Sequence, residues 1–518
     1  MKNSKRLLAA VLAVVLALSL GIPALAVTGG DVSAYPVIQI QGSTSALKFN
    51  EGTANEEIAF ENSKEKMQEA IEPVLGDLAI GVATQNWDKV ADGLIAFFQN
   101  WMGNLEMELD GTEVYPGITR TGGALPYWKN GVRYNYQMSN GKVRDNHCGF
   151  WFDWRKDPLT LADELKDYIE EIKATTGQSK VNLIAVSGST AMVLAYLDKY
   201  GYDSVASIML VQSLHAGATV IGQLATKQFK INPEALNGTN AFNLFGLYDL
   251  QESVGPVIDE IYNYGLGEIV AAFFNYASEQ VVDRLYDEAI TPILFHLPEF
   301  WGFLPDEYYE QAKLCLVDDD PAWADFLERA DEYHYGYMVR SDEILKAAAE
   351  NIKVMLTVGY NLPGLPLGAD GVNPNTDALV DVEKASFGAI AAPYGKRLSA
   401  KTQAVDDGHD HLSPDGQIDA STCVLPEQTW FFKDCYHQME TSFGGLYEWF
   451  QKSDNPTVTA NPDYPQYMQF VERFSYAKIE SGSTAFSFSD LWQRIVNAFL
   501  AVWRYIEHLL LTGKLFSL

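Results

Sequence analysis

The feature that most constrains this chain is an apolar run that ends abruptly. Val181-Asn-Leu-Ile-Ala-Val186 is followed at once by Ser187-Gly-Ser-Thr190 and a helix-forming stretch from about Ala191 to Tyr200. A run apolar at successive positions has no side left for water, so it belongs inside a sheet covered on both faces. Passing straight into a helix, it is the first half of a parallel crossover. Further strands are predicted at Tyr35-Pro-Val-Ile-Gln-Ile-Gln-Gly42, Gly149-Phe-Trp-Phe152, Ser204 to Gln212, Ile352 to Gly359 and Thr429 to Phe432. Between them, Leu161, Leu165, Ile169 and Ile172 recur at helical spacing up to about Gly177. Residues from Asn62 to about Asn104 also carry helical spacing, broken by Pro73 and Gly93. Strands alternating with helices predict an α/β protein with a mostly parallel central sheet.

Residues 216–350 interrupt the alternation. They read as helical and are rich in aromatics, among them Phe242, Tyr262, Phe300, Trp301, Phe303 and Tyr309. An insertion of that length between two strands is too long for a connection and predicts a cap subdomain. The aromatics build either the cap's own core or an apolar pocket over the sheet edge. The expected organisation is a core of residues 27–215 and 351–450, a helical cap of 216–350, and a C-terminal extension of 451–518.

The ends carry separate signals. Lys2, Lys5 and Arg6 precede an apolar run from Leu7 to Leu20 and the small-residue site Ala24-Leu25-Ala26. That is the pattern of a secretory signal peptide cleaved after Ala26, with no Cys placed for lipid anchoring, so a secreted protein is expected. Near the other end, Trp492, Ile495, Val496, Phe499, Trp503, Ile506, Leu509 and Leu510 form a helical stripe flanked by polar residues. Packing against the domain or a partner is its first reading, and peripheral membrane contact its second. With 37 basic against 68 acidic residues, the net charge of −31 repels polyanions, which argues against nucleic-acid binding. Of the four Cys, Cys423 and Cys435 are the pair expected to bridge if any does; buried free thiols are the alternative.

The Ser187 turn has the form of a nucleophile elbow, a strand-to-helix turn so tight that the residues two before and two after the Ser must be small. Here they are Ala185 and Ser189. Ser189 is a register-shifted alternative nucleophile. Gly188 offers its backbone N–H, at a helix start, to a developing oxyanion. A second donor is expected from the Ser43 N–H, with Gly42 allowing close approach. His437, five residues beyond Phe432, is the best placed of the eight His for a general base. His411 is the alternative base, within Asp406-Asp-Gly-His-Asp-His-Leu-Ser-Pro-Asp415. That acidic loop also suggests Ca²⁺, but its spacing does not match an EF-hand, and no metal or other cofactor is expected. His215 reads as structural or pocket-lining. Trp154 is a candidate for lining the site, and Arg155 for a strand-end ion pair.

Several segments resemble one known group. Pro36 to Gly42 resembles the strand and oxyanion turn of α/β-hydrolases. Phe152-Asp-Trp-Arg-Lys-Asp-Pro158, with Ala162-Asp-Glu-Leu165 and Tyr168-Ile169, is similar to a segment of lecithin:cholesterol acyltransferase-like and related bacterial lipases. Leu210-Val-Gln-Ser-Leu-His-Ala-Gly217 resembles the strand and turn after the nucleophile helix in that group. Asn375-Thr-Asp377-Ala-Leu-Val380, with Ser386-Phe-Gly-Ala389, resembles its acid loop. Departures are Ala185 and Ser189 at the elbow, Gln41 before Gly42, and Ala378 where Gly is frequent. The resemblance covers about residues 35–45, 148–217 and 350–440 and implies an α/β-hydrolase fold.

It also implies the chain order Ser, then Asp or Glu, then His. Asp377 becomes the expected acid, with Asp370 and Asp381 as alternatives and Asp381 read as a surface carboxylate. The implied function is hydrolysis of carboxylic esters, with lipid or other apolar esters as substrate, through an acyl-enzyme on Ser187. An acyltransferase using the same intermediate is the near variant. A catalytically decayed scaffold acting as a secreted binding or cell-surface protein is the alternative from a different class.

Overall fold

A computed structural model gives the fold; it describes residues 35–118, 135–228, 267–364, 374–399, 409–437, 444–459 and 468–471, apart from a few positions within those ranges. The segment expected to be a signal peptide, the Trp492–Leu510 stripe, Gln41, Asp370 and aromatics such as Phe242 and Tyr262 lie outside the described residues.

Seven strands form the central sheet: β1 (Val37–Ile40), β2 (His147–Phe150), β3 (Val181–Val186), β4 (Val205–Val211), β5 (Lys353–Tyr360), β6 (Thr429–Lys433) and β7 (Phe470–Val471). Their order across the sheet is β7-β6-β5-β4-β3-β1-β2. Every neighbouring pair is parallel. The architecture is therefore an α/β fold with a mostly parallel sheet flanked by helices. β3 is buried at all its positions, as its unbroken apolar run predicts. Val181, Leu183 and Ala185 face one core, while Ile184 and Val186 face a second core on the other side. Two-sided burial is the reason this run is not alternating.

The flanking helices end where their residues dictate. Helix α2 (Pro158–Thr176) starts with Asp157 accepting from the N–H groups of Leu159 and Thr160, with Pro158 in the first turn. It stops at Gly177, whose φ of 68° suits a left-handed cap. Helix α3 (Ser189–Tyr200) follows the elbow. Helix α7 (Ser341–Asn351) packs beside α3 and leads into β5, completing the crossover from β4. The last helix of the 216–350 insertion thus covers the sheet itself.

The described part of that insertion is helical. It comprises α4 (Thr219–Ala225), α5 (Gly267–Leu285), a π-helical turn at Tyr286–Phe295, α6 (Pro298–Gly302), and helices at Asp306–Leu316 and Ala324–Gly336. Its aromatics pack mainly on one another. Trp301 contacts Tyr309, Trp323 and Phe326 with ring centroids 5.8–5.9 Å apart. A second insertion, between β1 and β2, joins them through α1 (Trp87–Met102), which lies against α5. Gly93 does not break that helix, contrary to expectation. A Cβ there would come within 2.7 Å of Leu78, so the glycine permits close helix packing. The break falls earlier, at Gln85 (φ 53°) and Asn86, whose side chain caps the Lys89 N–H.

Two further expectations are corrected, for Trp154 and Asp381, and the choice left open between a disulfide and free thiols is decided. All four Cys are free thiols. Cys423 and Cys435 belong to the cores on opposite sides of the sheet, which keeps them apart. Trp154 is fully buried, its ring edge-on to Phe60 at 5.6 Å, and belongs to the core rather than to an open wall. Asp381 is buried; its carboxylate accepts from the Thr219 N–H at 2.9 Å at the start of α4. No described helix is long and apolar enough to cross a membrane.

Candidate active site

Parallel sheets collect ligands beyond their carboxyl ends where neighbouring connections diverge. Here that point lies between β1, whose chain leaves toward β2, and β3, whose chain leaves toward β4. Ile40 pairs with Ala185. Carried three residues on, that register sets Ser43 opposite Gly188.

Ser187 occupies the turn after β3 with φ of 56°. This strained, left-handed backbone is held by several bonds, as such conformations require. The Ser187 N–H donates to Val211 O at 2.9 Å, and the Thr190 hydroxyl donates to Ser187 O at 2.6 Å. Ala185 and Ser189 are both fully buried beside the turn, so small side chains are needed there. The Ser189 hydroxyl, the register-shifted alternative, is engaged by the backbone instead: it donates to Val186 O at 2.9 Å and accepts from Val186 N–H at 2.8 Å.

The Ser187 hydroxyl lies 2.8 Å from His437 Nε2, and His437 Nδ1 lies 2.7 Å from Asp377 Oδ2. The other carboxylate oxygen of Asp377 accepts from the N–H groups of Leu379 at 3.0 Å and Val380 at 2.7 Å. An acceptor at Oδ2 puts the imidazole proton on Nδ1 and leaves the Nε2 lone pair toward Ser187. Three side chains from distant parts of the sequence thus form one buried hydrogen-bonded series.

Backbone contacts bring the acid and base loops together. The His437 N–H donates to Asp377 O at 2.8 Å, and Gln212 Nε2 donates to Tyr436 O at 3.1 Å. Beneath them, a Cβ on Gly359 would lie 2.3 Å from Cys435 O and 2.7 Å from Asp377 Cβ. That glycine lets both loops settle on the end of β5. Sequence reading did not single out Gly359 or Gln212; a glycine late in a buried strand was the available signal.

At the expected oxyanion position, Gly188 is the N-cap of α3, where the first N–H groups have no intrahelical acceptor. Gly42 and Ser43 are buried in the facing turn. A Cβ on Gly188 would fall 2.2 Å from Ser43 Oγ and 2.5 Å from Phe303 Cζ, so the Ser43 hydroxyl and the Phe303 ring both lie against this residue. Glu299, also unforeseen, reaches down from the cap and lies 2.6 Å from Ser43 Oγ.

The remaining candidates lie elsewhere. His411, the alternative base, is fully buried with Nδ1 2.8 Å from Gln469 Oε1, and His409 approaches the same oxygen at 3.2 Å. Gln469 in turn donates to Pro426 O, so these imidazoles anchor the edge of the sheet near β7. Among the described residues, no cluster of three or more His, Cys, Asp or Glu could hold a metal ion. His215 is stacked on Phe387 at 3.5 Å, with Nδ1 2.8 Å from Ser213 Oγ. Burial pushes its pKa down to about 3, with a small addition from Lys384, so it is neutral. Arg155 is clamped by both oxygens of Asp153, at 2.7 and 2.9 Å, and by Glu113.

Compared with known proteins, the sequence matches no family model and no curated relative. The function is therefore argued from the site itself.

Proposed function

We propose that this chain is a serine hydrolase of the α/β-hydrolase fold that cleaves carboxylic esters through an acyl-enzyme on Ser187. The observation that carries the reading is the buried series from Asp377 through His437 to Ser187, lying past the carboxyl end of a parallel sheet. The chain order Ser, Asp, His and the strand order β2-β1-β3-β4-β5-β6 both suit that fold.

In this mechanism His437 Nε2 takes the Ser187 proton as the hydroxyl oxygen attacks the ester carbonyl carbon. Asp377 holds the Nδ1–H tautomer and faces the imidazolium as it forms. The negative charge on the former carbonyl oxygen is stabilised by N–H groups at Gly188 and Ser43. His437 then returns its proton to the leaving alcohol. Water, deprotonated by the same imidazole, attacks the acyl carbon; the acyl–Oγ bond then breaks, the acid leaves, and the imidazolium returns the proton to Ser187 Oγ. The Phe303 ring beside Gly188 favours apolar acyl groups, and the pattern of residues 1–26 favours action outside the cytoplasm.

The test is hydrolysis of p-nitrophenyl esters of graded chain length by the wild type, Ser187→Ala and His437→Ala. Turnover by the wild type and loss in both variants are expected, with a fluorophosphonate attached to Ser187. Equal background rates in all three proteins would leave a non-enzymatic scaffold as the better reading.

A further inference from the structure

Glu299 presents an unusual combination. It is 1% exposed and lies in the short helix α6 among Phe300, Trp301 and Gly302. One oxygen is 2.6 Å from Ser43 Oγ, while the other is buried with no hydrogen-bond partner among the described residues. Among the described residues no Lys or Arg pairs with it; Arg155 pairs with Asp153 and Glu113 through Nε and Nη2, and its Nη1, though buried without a partner among the described residues, makes no ion pair with Glu299. An uncompensated buried carboxylate is costly, so such a group keeps its proton. Burial pushes the Glu299 carboxyl well above the usual range, Asp157 and Asp153 add to the shift, and the Ser43 hydroxyl opposes it.

A neutral carboxyl has one O–H to donate, and Ser43 Oγ is the acceptor at hydrogen-bond distance. Once that oxygen accepts from the acid, its own proton is free to point elsewhere. The hydroxyl already lies against Gly188, the residue whose N–H is the expected oxyanion donor. We propose that Glu299 is a positioning residue: a cap-borne carboxylic acid that donates to Ser43 Oγ and turns the Ser43 hydroxyl into a further oxyanion donor. This rests on the hydrolase reading of the site. It also ties the cap to the chemistry, because lifting α6 away would remove the group that orients Ser43.

The experiment measures kcat, KM and Tm for the wild type, Ser187→Ala, Ser43→Ala, Glu299→Met, Glu299→Gln and Ser43→Ala/Glu299→Met on a p-nitrophenyl ester. Ser43→Ala and Glu299→Met are each expected to lower kcat by about a hundredfold, with KM nearly unchanged. The double variant should be no slower than Ser43→Ala alone. Glu299→Gln can donate through its amide and should stay within about threefold of wild type. Replacing a buried, half-satisfied acid with Met should not lower Tm, whereas a merely structural Glu299 would lose Tm and kcat together. Unchanged kcat in Glu299→Met, multiplying losses in the double variant, or Glu299→Gln as slow as Glu299→Met would overturn the proposal. If Glu299→Met does not fold, Ser43→Ala decides alone, and full kcat there overturns it. Wild type no faster than Ser187→Ala would instead sink the hydrolase reading itself.

Discussion

Replacing Asp377 by Asn changes one atom of a carboxyl group and tests the site sharply. The native carboxylate serves two clients: Oδ2 faces His437, and Oδ1 accepts from Leu379 and Val380. An Asn side chain has one acceptor and must choose. If its oxygen stays on the two backbone N–H groups, its NH2 faces His437. The imidazole then accepts at Nδ1, carries its proton on Nε2, and cannot take the proton of Ser187. The opposite flip serves His437 but sets an NH2 against two buried N–H donors. That costs about 4 kcal/mol, at about 2 kcal/mol for each of the two unmade bonds. At roughly 1.4 kcal/mol per decade, the productive arrangement then holds about 1% of the population or less. Loss of the negative charge facing the imidazolium adds to this, and a trapped tautomer of this kind costs roughly 10⁴-fold in kcat. The expected loss is therefore between about 10² and 10⁴, with Tm shifted by only a few degrees. Steady-state ester hydrolysis near pH 8, with thermal melts on the same samples, measures both. A folded Asp377→Asn enzyme retaining more than about a tenth of wild-type kcat would refute the tautomer argument.

Gly188→Ala should lose both activity and stability, because its new methyl group meets Ser43 Oγ and Phe303 Cζ; about 1–3 kcal/mol of overpacking is expected in urea melts. His411→Ala should keep its turnover while losing stability, and His437→Ala should do the reverse; the opposite pattern would exchange the two assignments. His215 has a depressed folded pKa, so its stabilising contribution is complete above about pH 6.5, its ordinary value, and is lost as pH falls toward about 3. His215→Leu should therefore flatten stability against pH in that window by up to about 1.4 kcal/mol per pH unit, read from denaturant melts at pH 4.5 and 6.5. Thiol titration of the unfolded chain without reductant should return all four Cys, and reductant should leave Tm unchanged.

How much could be read in the sequence depended on whether the signal was local. The apolar run of β3 announced its two-sided burial because hydropathy at adjacent positions reports directly on two faces. The Ser187 turn was visible for a similar reason, since Ala185 and Ser189 are small where the backbone is tight. His437 stands out by its place just past a strand end, and Asp377 by the resemblance of its loop and the chain order that resemblance implies; both signals survive without knowledge of packing. Glu299 could not be found that way: one acid in an apolar short helix looks like a solvent-facing charge until the cap folds it inward. Asp381 and Trp154 failed for the same reason, because their burial is decided by elements far along the chain. Gly93 misled in the other direction, since a glycine that weakens an isolated helix can be what lets two helices touch.

The geometry also separates what can vary in this chain from what cannot. Ser43 meets Gly188 because Ile40 pairs with Ala185 and each turn runs three residues further. Adding or removing one residue on either side would shift the hydroxyl by a full residue spacing and point the neighbouring side chain into the site. The cap segments obey no such register. Between β1 and β2, and between β4 and α7, the chain leaves the sheet and need only return to it, and longer loops add little closure cost. Length changes far from α6 should thus be tolerated, while the spacing from Ile40 to Ser43 and from Ala185 to Gly188 is held by the sheet. Phe303 and Glu299 are where these regimes meet: a region free to vary in length must still deliver a ring and an acid to within contact of one turn.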